Sequence, residues 1–173
     1  MIILKLQNLF ERDLEIIYDS ECRMEKQLPK IISAVSSAEL QAAFKSDLTQ
    51  TADHLQRLKK IFASLDRLPT EESDHAFKSI FHEGEKLIKN IDRSALLDSA
   101  LIIFGSQVHH HKAALYESLW SVAQALGFTA AVDPLKQAAS NEKASAEKLV
   151  QIALQVNPAA VTVQNPPHEW EII

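Results

Sequence analysis

The stretch from Phe10 to Val35, FERDLEIIYDSECRMEKQLPKIISAV, carries the clearest helical pattern of the sequence. Read at steps of three and four, it gives Phe10, Leu14, Ile17, Glu21, Met24, Leu28, Ile31 and Val35. Residues at this spacing share one face of an α-helix, and such a face normally packs against neighbouring helices. Glu21 lies in the middle of it, where a carboxylate costs several kcal/mol unless it is paired, protonated or bound to a metal.

Two other segments carry a similar stripe with a polar residue near its centre. One stripe is Leu40, Phe44, Asp47, Thr51, His54, Leu58, Ile61 and Leu65, and the other is Leu135, Ala138, Glu142, Ser145, Leu149, Ile152 and Val156. Helical bundles build metal sites when several helices each offer a polar side chain to a common interior. The pattern therefore predicts a helical bundle with an interior polar site.

Periodicity and capping residues predict four long helices and a short one. The segments lie at about residues 4–35, 37–65, 76–90, 94–126 and 130–156. Pro29 predicts a kink or break near Lys26, because proline removes a backbone donor. The short helix lies in a connection too long for a hairpin, which indicates an all-α, ferritin-like four-helix bundle with a crossover helix.

The domain organisation follows from where the helical pattern stops. Residues 1–156 form the predicted bundle, and residues 157–173 form a C-terminal tail. Pro158, Pro166 and Pro167 lie in this tail, so we expect the helix to end before it. Its apolar Trp170 favours docking onto a protein surface, and a frayed terminus is the alternative.

Composition excludes several classes of function. The formal charge of −5 and the scattered lysines and arginines argue against nucleic-acid binding. No apolar stretch is long enough to span a membrane, and the first residues do not form a signal peptide. The single Cys22 excludes an internal disulfide and suits a reducing compartment, so we expect a cytoplasmic protein.

Glu21, Glu142 and His54 are the first candidates for metal ligands. For each glutamate the alternative is a side chain at the edge of the bundle that pairs with a lysine. His54 has Gln50 one turn earlier, and the alternative for His54 is a buried histidine with ordinary hydrogen-bond partners.

The run His109-His110-His111-Lys112 is the most unusual feature of the sequence. Successive helical positions differ by about 100°, so at most two of the three imidazoles face the interior together. Lys112 would place a cation beside the site, which is unfavourable for a metal ion.

Motifs of other reaction types are missing. The sequence has no glycine-rich phosphate loop, nucleophile elbow, paired cysteines or His-Glu-x-x-His motif. The full glutamate and Glu-x-x-His set of a di-iron bundle is absent as well. We therefore assign no catalytic residue, and an enzyme is the less favoured interpretation.

Several segments resemble the bacterial YciE/YciF family, from Leu4 to Ala153. They are Leu6-Gln7-Asn8-Leu9-Phe10, Tyr18-Asp19-Ser20-Glu21, Leu28-Pro29-Lys30, Phe44 through Leu58, Val108 with His110, Tyr116, Ala125-Leu126-Gly127 and Glu142-Lys143-Ala144. The resemblance implies a ferritin-like bundle related in shape to rubrerythrin and associated with bacterial stress responses. The biochemical activity of this family is not established.

The inward polar set that the resemblance implies is only partly kept. Glu21 is present, whereas the second helix reads Asp47-Leu48-Thr49-Gln50-Thr51 where the family has two glutamates. The family pattern Val-Glu-His-Tyr-Glu becomes Val108-His109-His110-His111-Lys112, so the histidine is kept at His110 and both carboxylates are lost. In the fourth helix Glu142 remains, and Ala146 replaces an aspartate.

These observations predict a stress-associated bundle with a remodelled or degenerate metal site that binds at most one ion. The expected ligands are Glu21, His54, His110 and Glu142, with Gln50 and His109 as additional candidates, and the ion would be iron, zinc or manganese. Alternatively, Lys112 pairs with the glutamates and replaces the metal charge. A metal-free structural or partner-binding protein and a di-iron oxidase or peroxidase are the other hypotheses.

A homodimer is the expected assembly. This prediction follows from the resemblance and from Trp120, Phe128 and Trp170, apolar residues that one bundle has difficulty burying.

Overall fold

The computed structural model describes residues 4–70 and 75–161. They form five helices and, within these two ranges, no strand. The helices are α1 (Leu6–Ala34), α2 (Ala38–Ser64), α3 (His75–Asn90), α4 (Ala95–Leu126) and α5 (Thr129–Val161). The predicted all-α, ferritin-like bundle with a short crossover helix is confirmed.

Local capping explains where several helices begin and end. The hydroxyls of Ser37 and Ser94 accept hydrogen bonds from the backbone N–H groups of Leu40 and Leu97, both at 3.3 Å. These bonds satisfy donors that have no partner in the first helical turn. Gly127 ends α4 with φ of 74°, a left-handed conformation that costs glycine little.

Two prolines that were predicted to interrupt or end a helix lie inside one. Helix α1 continues through Pro29 to Ala34 without the expected break near Lys26, and α5 continues through Pro158 to Val161. The predicted helix end at Val156 was therefore wrong by five residues. Each proline frees the carbonyl four residues earlier, and the residues concerned, Glu25 and Leu154, are exposed, so water can replace the missing donor.

Helices α1, α2, α5 and α4 follow one another around the bundle. Helix α1 contacts α2 and α4, and α5 contacts the same two helices. Helix α3 packs on α4 and α1, and it returns the chain to the end where α1 stops. There, the Arg93 guanidinium donates to the Val35 carbonyl at 2.9 Å. Polar side chains near the middle of the four long helices consequently face one interior.

Apolar side chains fill the bundle on both sides of these polar groups along the helix axes. Phe10, Phe44, Phe62 and Phe104 are almost completely buried in it. Gly84 allows α3 to approach α4 closely, since a Cβ atom there would lie 2.6 Å from the Phe104 ring. Polar groups at the centre are thus enclosed by tightly packed apolar side chains.

Some sequence predictions fall outside the described residues. They concern the loop at 71–74 and the tail from residue 162 onward, including Pro166, Pro167 and Trp170. The division into a bundle at 1–156 and a tail at 157–173 stays a prediction. Within residues 4–70 and 75–161, no helix has the length and apolar character needed to cross a bilayer.

Candidate metal centre

Four helices each place one ionisable side chain at the centre of the bundle. Glu21 comes from α1, His54 from α2, Lys112 from α4 and Glu142 from α5, and all four are at most 1% exposed. The stripes that predicted α1, α2 and α5 explain the positions of Glu21, His54 and Glu142, because each of them replaces an apolar side chain on a buried face. We call these four residues, together with Asp47 and His109, the central cluster.

Lys112 lies between the two glutamates. Its Nζ is 2.8 Å from Glu21 Oε2 and 2.8 Å from Glu142 Oε1. Within the described residues neither oxygen accepts a hydrogen bond of regular angular geometry, so this ion pairing is the main compensation for their burial. Burial favours neutral Lys112, but the charges of Glu142 and Glu21 outweigh it and raise the lysine pKa above its ordinary value.

His54 connects the two glutamates on the side of α2. Its Nδ1 lies 3.0 Å from Glu21 Oε1 and 3.3 Å from Glu142 Oε1. Burial lowers the pKa of His54, and the hydrogen bonds with Glu142 and Glu21 raise it more, so the net shift is upward. On the other side of the ring, Nε2 lies 3.3 Å from Nδ2 of Asn141. His54 therefore shares both carboxylates with Lys112.

Tyr116 completes the surroundings of Glu21. Its hydroxyl donates to Glu21 Oε1 at 2.7 Å, and its ring packs edge-on to His54 with 5.5 Å between the ring centroids. Burial, together with the charge of Glu21, raises the pKa of the Tyr116 hydroxyl well above its ordinary value. Tyr116 is therefore a neutral hydrogen-bond donor to a charged acceptor.

His109 provides a second cation in the cluster. Its Nδ1 lies 2.7 Å from Glu142 Oε2, and its Nε2 lies 3.3 Å from Asp47 Oδ2. Burial lowers the pKa of His109, but hydrogen bonds with Asp47 and Glu142 raise it to about 9. Asp47 also accepts a hydrogen bond from the Ser145 hydroxyl at 2.9 Å. His109 is consequently an imidazolium at neutral pH.

Cations within the protein offset most of the buried negative charge of the central cluster. The carboxylates of Glu21, Glu142 and Asp47 face the cations of Lys112 and His109, and the imidazole of His54 adds a hydrogen-bond partner. Burial raises the pKa of Glu142, yet the charge of Lys112 and the hydrogen bonds with His109 and His54 hold it well below its ordinary value. The interior carboxylates therefore have counter-charges without any bound ion.

A surface groove between α2 and α5 reaches the edge of this cluster. It has a volume of about 740 Å³, and its lining includes Arg57, Gln137 and Asn141. The Gln137 amide donates to Asn141 Oδ1 at 2.8 Å, and Asn141 in turn contacts His54. Hydrogen-bonded groups thus link the groove to the buried histidine.

The structure brings together most, but not all, of the predicted ligands. Glu21, His54 and Glu142 can each direct one ligand atom so that all three atoms lie within 4.8 Å of one another. His109, an additional candidate, is buried beside Glu142. Gln50 is half-buried one turn before His54, and within the described residues it makes no hydrogen bond to the cluster.

The position predicted for His110 was wrong, because its side chain lies on the exposed side of α4. The buried face of α4 passes through Val108, His109 and Lys112, and position 110 is rotated about 100° from position 109. His109 therefore occupies the interior position that the family pattern had suggested for His110.

Two members of the site were not among the predicted ligands. Asp47 had the same signal as Glu21, a carboxylate inside an apolar stripe, and it could have been found in this way. Tyr116 lies one helical turn after Lys112, on the same face of α4. Its contact with Glu21 joins two helices, so local spacing alone does not reveal it.

A metal ion does not fit these donors while Lys112 stays in place. A divalent ion bound by carboxylate oxygens and an imidazole nitrogen needs ligand distances of about 2.0–2.2 Å. The Lys112 ammonium already lies within contact distance of the two oxygens that such an ion would use. Like charges at this separation repel strongly in a buried site. The cluster can bind an ion only if the ammonium moves out.

Comparisons with known proteins support the resemblance that the sequence suggested. A family described as a domain of unknown function, DUF892, matches residues 5–162. Protein YciF of Escherichia coli (strain K12) is 27% identical over 150 residues, which cover 86% of this chain and 90% of that protein. The predicted resemblance to the YciE/YciF family is confirmed.

Two solved structures share the fold. The structure titled as the E. coli stress protein YciF matches with a TM-score of 0.85 at 25% identity, covering 90% of this chain and 99% of that one. A protein from Rhodopseudomonas palustris, titled YcfI and a putative structural protein, matches with a TM-score of 0.81 at 28% identity. This second match covers 86% of the present chain and 94% of the other.

Proposed function

The chain belongs to the DUF892 family, and we propose that it is a stress-associated, non-catalytic bundle protein whose central carboxylates are balanced by Lys112 instead of a metal ion. Its role is that of a stable structural or partner-binding protein. The cytoplasmic location expected from the sequence stays a prediction.

The position of the Lys112 ammonium carries this proposal. It lies 2.8 Å from one oxygen of each glutamate, and its side chain is 2% exposed. The two α4 positions where the family resemblance implies carboxylates hold His109 and Lys112, both basic. Lys112 turns a group that attracts a metal ion into one that repels it, and His109 repels an ion as the imidazolium that Glu142 and Asp47 stabilise. The fold can keep its buried glutamates without an ion because these two residues supply positive charge.

The relatives favour the same interpretation. The R. palustris protein is titled a putative structural protein, and the E. coli protein is titled a stress protein. A structural role needs a stable bundle, and a site with internal counter-charges does not depend on metal supply. An oxidase or peroxidase with two metal ions would need more carboxylates than the described interior contains.

Binding of a single ion is the second candidate function. The grouping of Glu21, His54 and Glu142, with ligand atoms within 4.8 Å of one another, favours it. Two carboxylates and one imidazole form a suitable set for zinc, and also for iron or manganese. Under this alternative, Lys112 must leave the interior when the ion enters.

Metal analysis distinguishes the two candidates. Protein purified without chelators is compared with the Glu21→Gln/Glu142→Gln double variant by elemental analysis. We expect far less than one iron, zinc or manganese ion per chain in both samples. A near-stoichiometric metal content in the wild type that disappears in the double variant would contradict the proposal and establish the single-ion site.

A further inference from the structure

The groove between α2 and α5 has the size and the mixed chemistry of a small-molecule site. Its volume of about 740 Å³ falls within the range of about 300–1,000 Å³ that is typical of such sites. Its lining contains two cations, one carboxylate, two amides and three apolar side chains. Two of the charged residues, Lys60 and Asp133, are exposed, so the groove opens to solvent outside the interior that the central cluster occupies.

The groove has a polar end and an apolar end. At the polar end Asn141 contacts His54, with 3.3 Å between Nδ2 and Nε2, and Arg57 lines the groove one turn after His54. At the apolar end lie Ile61, which is 2% exposed, and Pro134. Because helices rise 1.5 Å per residue, Asn141 and Pro134 are separated by about 10 Å along α5. A ligand can therefore bind through a polar group at one end and cover apolar surface at the other.

Small side chains on α5 account for the space at the apolar end. Ala130 and Pro134 lie one turn apart on the wall that α5 forms, opposite the larger Ile61 of α2. Side chains of this size do not fill the gap between two helices, which is elsewhere closely packed. The recess is thus a direct consequence of the residue types in the first turns of α5.

The cations of the groove keep N–H groups available for an anion. The Arg57 guanidinium pairs with Asp53 through one nitrogen at 2.6 Å, and a guanidinium carries five N–H groups. This ion pair holds the Arg57 side chain in one orientation, which lowers the entropy cost of binding a ligand. Lys60 lies one turn further along α2, and it forms no ion pair with any residue of 4–70 or 75–161. Both cations can therefore contact the same bound group.

The charge of the lining favours a monovalent anion. Asp133 offsets one of the two cations, Arg57 and Lys60, so the lining has one net positive charge. A carboxylate carries a single negative charge, whereas a phosphate monoester carries about 1.5 to 2 at neutral pH. A carboxylate also matches the planar guanidinium, with which it forms two parallel hydrogen bonds. The groove is consequently better suited to a carboxylate than to a phosphate.

We propose that this groove binds a small organic acid. Its carboxylate contacts Arg57, Lys60 and the Asn141 amide, and its apolar body covers Ile61 and Pro134. The distance of about 10 Å between the two ends suits a medium-chain fatty acid such as octanoate. Binding here leaves the ammonium at the centre of the bundle in place, so the proposed site does not depend on whether a metal ion binds there.

Calorimetric titration with octanoate tests the site. We expect saturable binding of about one octanoate per chain, with a dissociation constant near the millimolar range. Acetate has the carboxylate without the apolar body, and octanamide has the body without the charge, so each should bind about tenfold more weakly or worse. Inorganic phosphate should not displace octanoate at equal concentration. An absence of saturable octanoate binding, or phosphate binding as tight as that of octanoate, would overturn the proposal.

Variants at both ends of the groove locate the bound octanoate. Arg57→Gln removes the cation at the polar end, and Ala130→Trp fills the apolar end from an exposed position, so each should weaken octanoate binding about tenfold or more. Lys59→Gln is the matched control for the charge, because Lys59 is an exposed cation of α2 outside the lining, and its binding should change less than about twofold.

The amide resonances of the groove give a second readout. In ¹H–¹⁵N spectra, the side-chain signals of Gln137 and Asn141 should shift as octanoate saturates the wild type and stay in place in Ala130→Trp. Circular dichroism checks that all variants keep the helical content of the wild type. Unchanged octanoate binding in both groove variants, or equal weakening by Lys59→Gln and Arg57→Gln, would show that octanoate binds elsewhere and would overturn the proposed site.

Discussion

Asp98 and Glu142 are both at most 1% exposed, yet the structure stabilises their charges in different ways. Asp98 lies at one end of the bundle and accepts hydrogen bonds from the Ser36 and Ser37 N–H groups, both at 2.8 Å, and from the Ser36 hydroxyl at 2.6 Å. Glu142 lies at the centre and faces Lys112, His109 and His54.

The partners of the two carboxylates distinguish a structural carboxylate, Asp98, from one that could also bind a metal ion, Glu142. Backbone N–H groups and a hydroxyl are neutral and fixed, so the hydrogen bonds of Asp98 tie the start of α2 to α4 without a cation. Glu142 needs positive charge, and either a protein cation or a metal ion can supply it. The centre of the bundle is therefore the place where a single substitution can change the chemistry, and the following predictions test this contrast.

The largest effect is expected for Lys112→Met. The methionine fills a similar volume but leaves Glu21 and Glu142 without their shared cation, so the free energy of unfolding should fall by about 3–5 kcal/mol. Urea denaturation at neutral pH measures the change. Lys143→Met is the matched control, because Lys143 pairs with Glu117 at the surface, where such pairs contribute about 0–1 kcal/mol. Equal losses in the two variants would contradict a special role for Lys112.

The pH dependence of stability should differ between the two regions. The pKa of His109 is raised to about 9 in the folded protein, above the ordinary value of 6.5. Its contribution is complete below pH 6.5 and is lost as pH rises through 9, with an upper bound of about 3 kcal/mol. His54 has an upward shift too and acts in the same direction. Urea titrations across this window measure the loss.

The variant His109→Gln should flatten this alkaline decline, and Asp98→Asn should leave its slope unchanged. On the acid side, the lowered pKa of Glu142 gives a contribution that is present above its unfolded value of about 4.5 and is lost as pH falls through the folded value. An alkaline decline of unchanged slope in His109→Gln would show that His109 is not the cation described here.

A smaller loss is expected at the end of the bundle. Asp98→Ala leaves two backbone N–H groups without their acceptor, and the free energy of unfolding should fall by about 2 kcal/mol. This loss should stay nearly constant between pH 6.5 and 9, because none of the donors titrates in that range. A loss that grows or shrinks across the window would show that Asp98 is electrostatically coupled to the central cluster.

The smallest effect is expected for Gln50→Ala. Gln50 makes no hydrogen bond to the cluster within the described residues, so the change should stay within about 0.5 kcal/mol. Thermal unfolding compared with the wild type measures it. A loss comparable to that of Asp98→Ala would mean that Gln50 supports His54 after all.

Much of the fold could be predicted from local sequence patterns. The steps of three and four identified the buried faces of α1, α2 and α5 and, with them, Glu21, His54 and Glu142. The capping serines and Gly127 allowed the helix ends to be predicted to within a few residues. These features depend on residues near in sequence, which is why spacing alone is sufficient for them.

Other features depend on contacts between distant segments. Which of three consecutive histidines faces inward depends on the rotation of α4, and the family pattern suggested His110 where the structure buries His109. The role of Asp98 depends on the approach of α4 to the α1–α2 connection, 62 residues away along the chain. The continuation of α5 through Pro158 depends on solvent access to a single carbonyl. The spacing of residues along a single helix does not reveal any of these three features.

The effect of zinc on unfolding tests whether Lys112 has replaced a metal ion. Added zinc should leave the stability of the wild type unchanged, because Lys112 occupies the site. In Lys112→Ala the glutamates are free to bind, and zinc at 100 times its dissociation constant should add about 2.7 kcal/mol to the free energy of unfolding. Lys143→Ala, which keeps every surface histidine, should behave as the wild type does. Stabilisation of the wild type by zinc to the same extent as Lys112→Ala would show that Lys112 does not exclude the ion.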